Sequence, residues 1–113
     1  MEDLVAAAHA LGRKIAAHPR TVEFMAAARA VSEDSPAQAI LKKYQEQVSR
    51  VRLLEAEGKP IEPEDKRGLA DCEAAVAGND KLKEMMRRQA DYVEMMHVVN
   101  QAIDEASTGP PAK

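Results

Sequence analysis

The chain has 113 residues, a net charge of −3, 3% aromatic residues and one cysteine. That length suits a single domain burying about two-thirds of the surface its unfolded form exposes, and such mild, mixed charge excludes a general nucleic-acid binder that neutralises phosphates with a strongly basic surface. Cys72 cannot close an internal disulfide, and the apolar residues after the acidic start Met1-Glu2-Asp3 are interrupted by His9, Arg13 and Lys14, so neither signal peptide nor membrane span is expected and the cytoplasm is the expected location.

In chain order, Asp3 is placed to cap a first helix running to about Ala17, with Leu4, Ala8, Leu11 and Ile15 on one face and Arg13 and Lys14 near its negative end. Pro19 stops that helix and suits the first turn of a second, to about Ser32, whose stripe is Thr21, Phe24, Ala28 and Val31. Val22 and Met25 lie off this stripe, which predicts a second neighbour. Ser35 then reads as a cap and Pro36 as the first residue of a third helix, which ends at Glu57 where Gly58 supplies a left-handed residue. Its buried stripe is Ile40, Leu41, Tyr44, Val48, Val51 and Leu54, with Lys42, Lys43, Glu46, Gln47 and Arg50 toward water. Pro63 opens a fourth helix to about Ala77, carrying Leu69, Cys72 and Val76 on one face and weakened by Gly68 by ~1 kcal/mol relative to alanine. Gly78 and Asn79 supply a stop and a cap.

The last helix, from Asn79 to Ala106, is the longest, at about 40 Å. Leu82, Met85, Gln89, Tyr92, Met96, Val99 and Ile103 recur at three- and four-residue steps and define a seam that must be covered, broadened by Met86 and Val93. A second patch of Met95, Val98 and Ala102 lies round the helix, so one partner layer cannot cover both. Contact with a second subunit is the expectation. From Ser107 to Lys113 the sequence Ser-Thr-Gly-Pro-Pro-Ala-Lys has nothing to bury and reads as a disordered tail. The whole describes an all-α chain of about five helices in a bundle or hairpin arrangement, one domain over 1–106, with a tail over 107–113.

Chemistry is harder to find. No second cysteine accompanies Cys72, which excludes an all-cysteine metal site within one chain, and its stripe position suits a packed thiol. His9, His18 and His97 do not converge, so no metal site or cofactor is expected. The acidic pairs Glu33/Asp34 and Glu62, Glu64 and Asp65 sit at helix starts, where capping and the helix dipole account for them. No Gly-rich phosphate loop or nucleophile motif is present, which points away from catalysis. Lys81, Lys83, Arg87 and Arg88 gather at the start of the last helix and could grip an anionic partner, although such runs are common on solvated faces. The methionines suit adaptable contacts, and Gln89, a polar residue in an apolar seam, can fix register between paired helices.

Several pieces, weak alone, gain specificity from their order: Ala-Leu-Gly-Arg-Lys-Ile from Ala10, Thr-Val-Glu-Phe-Met-Ala-Ala from Thr21, and Asp-Ser-Pro-Ala-Gln-Ala-Ile-Leu-Lys-Lys-Tyr-Gln from Asp34. They continue with the Glu-Gly-Lys-Pro-Ile turn from Glu57 and Gly-Asn-Asp-Lys-Leu-Lys from Gly78, before a long last helix with Gln89 and Asn100. From about Leu4 to Ile103 the chain resembles the YlbF/YmcA family of small bacterial helical regulators, which includes the YheA-type proteins. The resemblance implies an all-helical protein that self-associates and binds other proteins, among them other family members or a complex supporting ribonuclease Y-dependent mRNA processing and developmental programmes. Relatives can hold iron–sulfur clusters through cysteines toward their C-termini. Residues Ser107–Lys113 contain none, so cluster binding is not carried over.

The expected function is therefore a non-enzymatic regulator or adaptor, a homodimer or higher oligomer, with no membrane and no nucleic acid among its partners. Its expected interface residues are Met85, Gln89, Tyr92, Met95, Met96, Val98 and Val99. The alternative is a small nucleic-acid-binding helical module using Lys81, Lys83, Arg87 and Arg88.

Overall fold

A computed structural model describes residues 1–109 and is all-α, with no strand among the described residues. The helices are α1 (Glu2–Ala17), α2 (Pro19–Ser32), α3 (Ser35–Ala56), α4 (Pro63–Ala77) and α5 (Asp80–Thr108). Their ends follow from the punctuating residues. His18 precedes a proline and is extended at φ −68°, ψ 140°, as the proline ring demands of its predecessor. Its Nδ1 accepts the Arg20 N–H at 3.1 Å, so His18 both ends α1 and caps α2.

Two caps differ from the sequence reading, those of α1 and α3. Asp3 lies inside the first turn of α1, behind Met1 at the N-cap, and meets the terminal ammonium at 3.4 Å. Asp34, not Ser35, caps α3, its Oδ1 accepting the Ala37 N–H at 2.9 Å. Pro36 fits one residue deeper than expected because the opening N–H groups of a helix have no helical partner. At α4 the capping expected of its acidic start is present: the carboxylate of Asp65 accepts from the Glu62 N–H at 3.3 Å. Elsewhere the structure matches expectation: Gly58 has φ +70°, and the Asn79 side chain accepts the Leu82 N–H at 3.0 Å. The last helix continues two residues past Ala106, with the Thr108 hydroxyl donating to the Asp104 carbonyl at 2.6 Å. Of the expected tail, residues 110–113 lie outside the described residues.

The chain divides into two compact units. In the unit Ala27–Met86, Val31, Ala37, Val76 and Leu82 form a buried cluster, with Ile40, Leu41, Tyr44 and Met85 packed against it. Leu82 is 0% exposed. Here the backbones of α3 and α4 run close together. A polar contact fixes their alignment: Arg50 Nε meets Asp65 Oδ1 at 2.8 Å, and Gln47 Nε2 donates to the Asp65 carbonyl at 3.0 Å. Both residues are expected to face water: Arg50 does so while also reaching Asp65, whereas Gln47 is half-buried against the start of α4. Gly68 explains the close approach, because a Cβ there would stand 2.9 Å from the Gln47 amide nitrogen.

The other unit comprises Met1–Ala26 and the residues from Arg87 on. Phe24 and Tyr92 stack at 5.3 Å with a 36° tilt. Arg20 Nη1 donates to the Asp91 carbonyl at 3.1 Å, and Arg88 pairs with Glu23 at 2.8 Å. Among its described residues Thr21 alone is buried, and its hydroxyl has no hydrogen-bond partner. Helix α1 has no buried residue at all.

Candidate interaction surface

The expected seam of α5 is fully buried only at Leu82. Leu82 is buried and Met85 half-buried against the core, but Gln89 is exposed and so is Ile103. Met86 and Val93, expected to widen the covered face, are also exposed. Of the expected interface residues, Tyr92, Met95, Met96 and Val99 are half-buried, while Val98 is 58% exposed. The periodicity identifies an apolar face correctly. It does not count the helices available to cover it.

The same deficit appears on α1 and α2. Leu4, on the apolar face of α1, is 66% exposed, and Val5 beside it is open too; Leu11 and Ile15 are half-buried. On α2, Thr21 and Val31 of the expected stripe are buried, but Val22 and Met25 are more than half exposed. Ala27 and Ala37 are buried without having been singled out in the sequence; their small size lets backbones approach, and alanine is too frequent here to signal it.

The basic group at the start of α5 is not a bare patch. Lys81 pairs with Asp34 at 2.7 Å, and this hydrogen bond, with the Ala37 N–H, holds the Asp34 carboxyl below its ordinary range. Arg88 is engaged by Glu23, and Arg87 has an interaction of its own. Lys83 is exposed beside a shallow hollow shared with Tyr44 and Met86.

Cleft chemistry is sparse. A cleft of about 370 Å³ in the α3–α4 hairpin is lined by Ile40, Lys43, Gln47, Gly68, Asp71 and Cys72 among others. The Cys72 thiol is buried and directed at the Lys43 carbonyl at 3.9 Å, the posture of a packing residue. A cluster needing several thiolates does not fit around one buried sulfur. Among the described residues no group of three or more His, Cys, Asp or Glu is placed to hold a metal ion. His9 and His97 are exposed. The Asp65 carboxyl is held below its ordinary range, chiefly by the hydrogen bond from Arg50; it is a structural anion whose acceptors are taken. No described helix is long and apolar enough to cross a membrane.

Fold and surface thus define a class: small all-helical proteins with one tight hairpin core and further helices whose apolar faces stay open. The chain belongs to the YlbF/YmcA family, whose model, described as "Control of competence regulator ComK, YlbF/YmcA", matches residues 4–106. A UPF0342 protein of Lactobacillus helveticus (strain DPC 4571) is 25% identical over 76 residues, covering 67% of this chain. The chain spans 66% of that relative's length, just under two-thirds. By family, then, the setting is regulatory control.

Proposed function

We propose that this protein is a non-enzymatic regulatory adaptor, working through its helix faces and as a homodimer or higher oligomer. The supporting observation is surface area. The chain exposes 8596 Å², whereas a folded monomer of its 12.3 kDa mass is expected to expose about 6,100 Å². The excess of about 2,500 Å² is in the range that permanent subunit interfaces bury. Put differently, the chain alone buries about half of its unfolded surface, against the two-thirds expected for its size. The open residues include Leu4, Val22, Met25, Val93 and Val98, the kind that another protein surface covers.

The finer reading follows the family: control of developmental gene expression of the competence type, acting within a complex that supports ribonuclease Y-dependent mRNA processing. Sedimentation at high micromolar concentration tests self-association, and a monomer there refutes it. The pair Met95→Glu and Val98→Glu is expected to lower the oligomeric state with helicity kept; loss of helicity would instead make these residues core. Affinity capture from the native cell, with that pair as control, tests the adaptor role, which requires a protein partner lost with the substitutions. The nucleic-acid alternative predicts RNA affinity falling steeply with salt. It is disfavoured by the carboxylates that already engage Lys81 and Arg88.

A further inference from the structure

We propose that α1 pairs antiparallel with α1 of a second copy across a two-fold axis, an assignment that deepens, and rests on, the self-association proposed above. Helix α1 is the element least served by its own chain: all nine residues from Met1 to His9 are exposed, and none of its residues is buried. Its stripe of Leu4, Ala8, Leu11 and Ile15 repeats at four, three and four residues, the spacing of a seam between two helices. The C-terminal half of the stripe is partly sheltered, with Leu11 and Ile15 half-buried, while the N-terminal half is bare. A two-fold axis lays the bare half of each copy on the half-covered half of the other.

This stripe is complementary to itself when reversed. Antiparallel pairing about its midpoint sets Leu4 against Ile15 of the second copy and Ala8 against Leu11 of the second copy. Ala8 and Gly12 keep the contact shallow, which suits axes about 8 Å apart. Charge agrees with the same orientation. Glu2 and Asp3 stand at one end and Arg13 and Lys14 at the other, so reversal brings each acidic end to a basic one. With 3.6 residues per turn, Asp3 and Lys14 flank the stripe on the same side, so Asp3 of one copy comes beside Lys14 of the second copy, while Glu2 and Arg13 lie on the far face of the helix. The helix dipoles oppose favourably in that arrangement, whereas a parallel pair sets like charges and like dipole ends together. Such an isologous contact closes on itself and gives a dimer.

Single cysteines on a Cys72→Ala background test the geometry, with sedimentation run on the same full-length chain. The two Ala8 positions are offset by about 4.5 Å along the axes and the two Leu4 positions by about 16 Å. Ala8→Cys is therefore expected to form a disulfide-linked dimer under mild oxidation, and Leu4→Cys is not. Self-crosslinking of Leu4→Cys without Ala8→Cys would overturn the orientation. A dimer in sedimentation with neither crosslink would overturn α1 pairing while leaving self-association intact; a monomer overturns both. A charge exchange gives a second readout if a cysteine variant folds poorly. Asp3→Lys is expected to weaken the dimer ~3-fold, as for an exposed ion pair, and adding Lys14→Glu to restore it. Failure to restore would overturn the pairing.

Discussion

The unit Ala27–Met86 and the unit formed by the residues on either side of it use the same side chains, Leu, Val, Met and Ala on helices, with opposite results. In the first, α3 and α4 are locked by Asp65, which binds Arg50 through its carboxylate and Gln47 through its carbonyl, and Leu82 closes a core that excludes water. In the second, the one buried described residue is a threonine without a hydrogen-bond partner, and Leu4 and Val5 of α1 and Val93, Val98 and Ile103 of α5 stay open. Hydrophobic periodicity is thus necessary for a core and not sufficient. A face becomes interior only when another element is held against it, by a short turn such as Gly58–Glu62 or by a second molecule.

The largest effect that sharpens this contrast is expected at Leu82. Leu82→Ala removes a fully buried side chain and should cost about 3 kcal/mol, read as a lower urea midpoint with an unchanged slope. The corresponding change at an open position, Val98→Ala, should leave dilute-protein stability within about 0.5 kcal/mol. Equal losses at the two sites would erase the distinction between the units.

Next in size is the fit of Gly68 beneath Gln47. Gly68→Ala gains up to ~1 kcal/mol of helix propensity but displaces the Gln47 amide from the Asp65 carbonyl, a loss of similar size. The single substitution should be near neutral. In a Gln47→Ala background it should stabilise by ~1 kcal/mol, and additive behaviour in the double-mutant cycle would refute the contact. Smaller still is Val22→Ser with Met25→Ser, expected to change the stability of the dilute chain by less than about 0.5 kcal/mol. A larger loss would mean that these side chains are covered within the chain.

The smallest effect is expected from acid. Asp34 and Asp65 have folded pKa values below their unfolded ones. Their contribution is therefore complete above the unfolded carboxylate range, near pH 4, and is lost as pH falls through the lower folded values. Asp65→Asn should flatten this acid limb of the stability profile. An unchanged limb in the variant would show that the Arg50 contact does not set it.

Element ends were legible in the sequence because Pro19, Pro36, Pro63, Gly58 and Asn79 act within their own few residues. At the start of α3 both Asp34 and Ser35 are capping residue types, and the choice between them depends on where the first turn begins. Gln47 and Arg50 were illegible for another reason: their partner Asp65 is distant in sequence, and its position depends on how α3 and α4 align. For the candidate surface, the sequence shows which residues are apolar, including Met95, Val98 and the α1 stripe. Which of them lack cover is a property of the whole arrangement, so Ile103 reads as part of a covered seam and is exposed.

Amide hydrogen exchange followed as a function of protein concentration tests the central claim most directly. Between ~1 and ~100 μM, protection in α1 and in the later turns of α5 should rise as copies associate, while α3 and α4, secured by their own core, should change little. Protection of α1 that is strong and independent of concentration, in a chain that sediments as a monomer, would contradict the account.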